Sequence, residues 1–209
     1  TDSKWLVPHF EKMIYDNGQL ASTYAEAYDE TNNPYYAQVV RETLDYVLRE
    51  MTSETGAFYS AQDAEVDARE GGSYLWTPEQ IRQALTEAGQ TEDLDFALEV
   101  YGLDKGTNFQ DPHHPSEPPS NVLYLADEPA KVARRMNMSE QEFNERRQRV
   151  NTALLAARDQ RDQPLTDDKI LAGWNGLMIS GFADSGRILK EQKYIDAAAR
   201  AGDDVLTNM

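Results

Sequence analysis

The sequence contains no cysteine, which excludes disulfides, thiol catalysis and thiolate metal sites. No apolar run approaches the ~20 residues of a membrane-crossing helix, so a spanning protein is not expected. Positive charge is scarce: 20 Lys and Arg stand against 37 Asp and Glu, a formal net charge of −17, and only 7 of the cations are Lys. A field of that sign repels phosphate backbones and argues against nucleic acid as a partner. Solvated carboxylates suit either a salt-adapted or an ordinary acidic protein, and the expected compartment is the cytoplasm. No Gly-rich phosphate loop and no HExxH pattern occurs. The adjacent pair His113-His114 points its side chains in different directions and lacks Cys partners, so it reads as part of a solvated loop. Neither a metal nor a cofactor is expected.

What is present is enough for a core. Hydrophobic residues make up 40% of 209 positions, which suits one domain or a piece of a larger one. The first residue is Thr1, and the amphipathic pattern is still running at Met209. Setting Asn17 to Met51 against Asn175 to Met209 aligns the two stretches without a gap. Identities include Asn17/Asn175, Gly18/Gly176, Ser22/Ser180, Ala25/Ala183, Tyr36/Tyr194 and Asp45/Asp203. Each copy reads as helix, short polar turn, helix. In the first, Met13, Ile14, Asn17, Leu20, Ala21 and Tyr24 recur at helical spacing. Asn33-Pro34 then supplies a cap and a first-turn proline, and Tyr36, Val40, Leu44 and Val47 stripe the second helix. An αα-hairpin with two apolar stripes must stack on neighbours.

Between the copies, Gly56–Ser60 and Gly72–Trp76 are short aromatic runs with strand character, predicting one small β-hairpin around the charged loop 61–71. Thr77-Pro78-Glu79-Gln80 is a helix start with a capping box. Helices are predicted at about 78–88 and 92–101, near 128–137, and from Ser139 to about 160. Residues 102–120, rich in Pro, Gly and Asp, read as a long loop. The fold class is all-α with one small β-hairpin.

Three constellations could carry chemistry. His9, Glu11, Lys12 and Asp16 crowd a helix entrance, where His9 could exchange protons near neutral pH. The alternative is a helix cap beside an i,i+4 pair. Around the aromatic runs, Tyr59, Asp63, Glu70, Tyr74 and Trp76 combine rings that stack on sugar C–H faces with carboxyls suited to general acid–base work. Glycoside hydrolysis needs two carboxyls, ~5–5.5 Å apart for retention and ~6.5–9.5 Å for inversion. The alternative is a solvated acidic loop over packed aromatics. Finally, Asp168, Trp174 and Asn175 could share a polar interior with Trp174 as a stacking wall, or be a helix-start acid and a core Trp.

The strings Trp5-Leu-Val-Pro-His-Phe-Glu-Lys-Met-Ile-Tyr-Asp-Asn17, Gly56-Ala-Phe-Tyr-Ser-Ala-Gln-Asp-Ala64, Glu70-Gly-Gly-Ser-Tyr-Leu-Trp-Thr77 and Leu171-Ala-Gly-Trp-Asn-Gly-Leu-Met178 occur in this order. Together they resemble the thioredoxin-domain-containing proteins of the spermatogenesis-associated protein 20 type. The resemblance implies an N-terminal thioredoxin-like domain followed by an (α/α)6 toroid similar to N-acylglucosamine 2-epimerases and six-hairpin glycosidases. Residues 1–209 would be the middle of that single toroid, without the thioredoxin-like domain and the closing hairpins. A DADS-like string of the family reads Asp63-Ala64-Glu65-Val66 here. Toroid epimerases use two histidines, whereas only His9 lies in a motif.

Two functions are therefore expected to compete. One is a glycosidase- or epimerase-like toroid acting on a sugar in a central cavity. Catalysis would fall to Asp63, Glu70 and His9, and substrate binding to Tyr59, Trp76, Asp168, Trp174 and Asn175. The other is a non-catalytic binding or scaffold module for the attached thioredoxin-like domain. An incomplete toroid would also expose apolar helix faces and self-associate through them.

Overall fold

A computed structural model describes residues 2–125 and 127–209. In chain order the helices are α1 (Ile14–Thr31), α2 (Pro34–Glu50), α3 (Pro78–Glu87), α4 (Leu94–Val100), α5 (Pro129–Arg135), α6 (Glu140–Arg158), α7 (Ala172–Leu189) and α8 (Gln192–Asn208). The strands are two residues each: β1 (Lys12–Met13), β2 (Ala61–Gln62), β3 (Glu65–Val66), β4 (Arg69–Glu70) and β5 (Thr166–Asp167). The fold is mostly helical with only small antiparallel sheets. Among the described residues no helix is long and apolar enough to cross a membrane. The chain divides into two compact units, one of residues 1–10 and 64–164, the other of residues 11–63 and 165–209.

The second unit holds both copies of the repeat, α1–α2 and α7–α8. The matched helices begin and end in step: Ile14 pairs with Ala172, Thr31 with Leu189, Pro34 with Gln192 and Glu50 with Asn208. Both first helices also stop on a left-handed residue, Asn32 at φ 54° and Lys190 at φ 58°. Asn33 starts α2 as expected, its side-chain oxygen accepting from the Tyr35 N–H at 3.0 Å, with Pro34 in the first turn.

Helices α1 and α7 meet along small residues. A methyl built on Gly18 would lie 2.7 Å from the Leu177 carbonyl oxygen, and one on Gly181 would lie 2.6 Å from the Gly18 oxygen. Only hydrogen fits between the two backbones there, so the seam is set by glycine. Around it Ile14, Val40, Leu44, Phe58, Met178, Phe182 and Tyr194 form a continuous core. Phe58 stacks on Phe182 with centroids 5.0 Å apart. Tyr194 is fully buried, its hydroxyl donating to Asp45 Oδ1 at 2.9 Å, and burial pushes its pKa well above the usual value.

The first unit packs α3, α4, α5 and α6 around Ile81, Leu85, Phe96, Val100, Phe143, Val150 and Leu154. The capping box forms as read: Thr77 Oγ1 accepts from the Gln80 N–H, and the Gln80 side chain accepts from the Thr77 N–H. Asp93, 1% exposed, is held by Arg146 Nε at 2.7 Å and Arg149 Nη2 at 3.2 Å. A buried carboxylate of this kind needs such donors.

The small hairpin is not where the aromatic runs suggest. It is β3–β4, inside the charged loop, with Glu65 opposite Glu70 and Val66 opposite Arg69. Asp67 (φ 51°) and Ala68 (φ 60°) make its turn, both left-handed, as the right-handed twist of the flanking strands favours. The aromatic runs bridge elsewhere, Phe58 to Thr52 and Trp76 to Asn121.

Candidate functional site

In the second unit, two of the motif strings, residues 5–17 and 56–64, are joined by main-chain hydrogen bonds to each other and to residues 165–167 just before the fourth string. Strand β2 lies between β1 and β5, both antiparallel to it, with Met13 opposite Ala61 and Ala61 opposite Asp167. Around this sheet the Ile14 N–H donates to the Ser60 carbonyl at 3.0 Å, and the Ser60 N–H to the Asp167 carbonyl at 3.1 Å. The Asp63 N–H reaches the Leu165 carbonyl at 2.8 Å. The ladder runs straight into the N-terminus of α1, while β5 precedes α7 by four residues. The same short sheet therefore anchors the entrances of both repeat copies, which is why chemically distinctive residues gather there.

Asn175 ties this edge to the core. Its Nδ2 donates to the Phe58 carbonyl at 2.9 Å and to the Leu171 carbonyl at 3.3 Å, and its Oδ1 accepts from the Phe58 N–H at 2.8 Å. The side-chain amide imitates a strand neighbour for Phe58 and is fully buried and committed. Its repeat counterpart Asn17 repeats one of these bonds, donating to the Met13 carbonyl at 2.8 Å. Beside it, Trp174 is half-buried with its ring edge-on to Tyr15, centroids 4.7 Å apart. Tyr59 is also half-buried, and Asp63 and Asp168 are exposed. The neighbouring Asp167 carboxylate is held below its ordinary pKa chiefly by Lys169, whose Nζ lies 2.6 Å away. Gln62, buried in β2, accepts from the Tyr46 hydroxyl at 3.1 Å.

The remaining candidates lie in the first unit. His9 is exposed. Glu70 is half-exposed in β4, and its N–H donates to the Asp111 carboxylate. Burial raises the Asp111 pKa, but the His113 N–H at 2.8 Å and the His114 ring at 3.0 Å outweigh it, so the net shift is downward. Trp76 is 4% exposed, and the Arg161 guanidinium covers its ring with its carbon 3.8 Å from the centroid. The His113-His114 loop is thus tied to the hairpin through Asp111.

Sequence reasoning passed over Tyr46, Gln62 and Arg161. A buried Gln in a strand has no local signature. Arg161 did have one, since Arg158 and Arg161 sit three apart where α6 gives way to the loop before β5.

No family model matches the chain. It is 35% identical over 215 residues to human spermatogenesis-associated protein 20, covering 95% of this chain and 27% of that protein. The rat protein of the same name gives 35% over 218 residues, again 95% of this chain and 27% of the relative. An uncharacterized protein of Caenorhabditis elegans is 29% identical over 217 residues, 96% of this chain and 29% of its own. The chain spans about a quarter of the length of the curated relatives it matches. Across 95% of its residues, the chain is a homologue of spermatogenesis-associated protein 20.

Proposed function

We propose that this chain contributes to a carbohydrate-active protein, of glycosidase or epimerase type, built on an (α/α) toroid. The observation that carries the reading is the β1–β2–β5 sheet, which joins two motif strings to each other at the entrance of α1 and to the segment leading into α7, with Asn175 tying the fourth string to Phe58. Rings and carboxylates on that sheet's flanks have the chemistry of a sugar site: Tyr59 and Trp174 as stacking surfaces, Asp63 and Asp168 as hydroxyl acceptors. In this reading Asn175 positions the sheet rather than touching substrate, because its amide is already committed. Trp76 contributes through the packing of its own unit. Glu70 and His9, which belong to the first unit, enter only through their motif strings, as acid–base candidates in addition to Asp63.

The test incubates the full-length protein with reducing sugars and small oligosaccharides in D2O and follows proton NMR. Loss of a C2–H signal indicates epimerase-type exchange and makes His9 the first residue to replace. New anomeric signals without exchange indicate hydrolysis, to be abolished by Asp63→Asn or Glu70→Gln. Absence of both across the panel refutes the reading. A non-catalytic module serving a thioredoxin-like domain is the second reading. What favours it is that Asn175 and the sheet strands serve to join the repeat copies.

A further inference from the structure

Arg161 is the exception among the half-buried arginines. The others, Arg146 and Arg158, each reach a carboxylate, as do the exposed Arg41, Arg69 and Arg82. In a chain with 37 acids for 20 bases, that is the expected outcome. Arg161 instead donates from Nη1 to two main-chain carbonyls, Ser73 at 3.2 Å and Leu75 at 2.8 Å, and its guanidinium carbon sits over the Trp76 ring, 3.8 Å from the centroid. Those two bonds use one nitrogen. The opposite edge, Nε–H with Nη2–H, has no acceptor among the described residues. It is the pair of parallel donors that matches a carboxylate or phosphate in bidentate fashion.

The surroundings sharpen the imbalance. Ser73, whose carbonyl takes one bond, keeps a buried hydroxyl with no partner among the described residues. Burial, and then the positive charge of Arg158, pulls the Arg161 pKa below its usual value, so the group lacks a counter-charge where it sits. A guanidinium stays protonated even so. It is also rigidly posed, because the carbonyl bonds and the indole face fix its plane before any ligand arrives. Pre-organisation of this kind lowers the entropy lost on binding.

We infer that the Nε–Nη2 edge of Arg161, lying against Trp76, is an oxyanion-binding site that takes the phosphate or carboxylate group of a small-molecule ligand. The two ligand sources share this chemistry and differ in charge and geometry. The inference does not depend on a sugar reaction, since it concerns only binding within the first unit.

The experiment follows the Arg side-chain Nε–H resonances of the full chain while inorganic phosphate or acetate is added at pH 7. Sodium chloride at matched ionic strength is the control. The expected result is a saturable shift of the Arg161 resonance with phosphate, with a dissociation constant on the order of millimolar and well below that for chloride. A tighter response to acetate assigns a carboxylate ligand, and one to phosphate assigns a phosphorylated ligand. Arg161→Lys, which keeps the charge but loses the paired donors, should weaken binding by about tenfold while circular dichroism stays unchanged. Two results overturn the inference. One is an Arg161 resonance that moves no more with either anion than with chloride. The other is an R161K variant that binds phosphate as tightly as the parent chain. The titration of the unmodified protein decides the matter even if R161K does not fold.

Discussion

Gly18 and Gly176 occupy the same position in the two repeat copies, yet alanine should affect them in opposite directions. At Gly18 the added methyl meets main-chain atoms of α7, 2.7 Å from the Leu177 oxygen and 2.8 Å from the Met178 Cα. Main chain cannot swing aside, so the helices must separate or tilt, and overpacking of this kind costs about 1–3 kcal/mol. Helix propensity returns about 1 kcal/mol of that, leaving a net loss of up to about 2 kcal/mol. At Gly176, exposed in α7, a methyl meets nothing within 4 Å. There only the propensity gain of about 0.5–1 kcal/mol remains. The propensity gain is common to both variants, so the gap between them is the overpacking cost of about 1–3 kcal/mol, or roughly 2–12 °C in Tm for a chain of this size. Urea unfolding followed by circular dichroism measures it directly. A G18A variant as stable as G176A would show that α1 and α7 do not approach as closely as described.

Three further outcomes follow from named contacts. Asn175→Ala removes three buried hydrogen bonds and strands the Phe58 N–H and carbonyl, so stability should fall by about 2–4 kcal/mol, read as a lower urea midpoint. Ala68→Gly relieves a left-handed alanine at φ 60° and should raise stability by about 0.5–1 kcal/mol, whereas a loss would mean the turn is not of this type. Asp111 has a lowered pKa, so the stability it lends the His113-His114 loop is complete above the ordinary carboxylate value of about 4 and is lost as pH falls through the lower folded value. Amide exchange at His113 should accordingly rise only below about pH 4, and loosening already at pH 5 would implicate other groups.

How much of this was legible depended on whether a feature is local. Thr77 with Gln80, and Asn33 with Pro34, are set by neighbours three or fewer residues away, and both caps form as read. The repeat was legible because it is a register, and helix ends follow register. The small hairpin was misplaced for a physical reason. Its turn is Asp67-Ala68, which lacks the glycine that usually marks a two-residue turn, while the aromatic runs carry strand propensity without a local partner. The central sheet was hidden because each strand has two residues, too few for alternation, and its partners lie far apart in the chain. The motif strings were visible, but the roles of their residues were not. That Asn175 spends its amide on Phe58, 117 positions away, is a tertiary fact. That Trp76 lies under Arg161 is another.

The central claim, a sugar held against the β1–β2–β5 edge, is tested most directly by binding. Saturation-transfer difference NMR on the full-length protein with a panel of mono- and oligosaccharides would report it. The account predicts transfer to the C–H face of at least one sugar, diminished by Tyr59→Ala and by Trp174→Ala at unchanged circular dichroism. Absence of transfer to every sugar, or transfer indifferent to both substitutions, would contradict it.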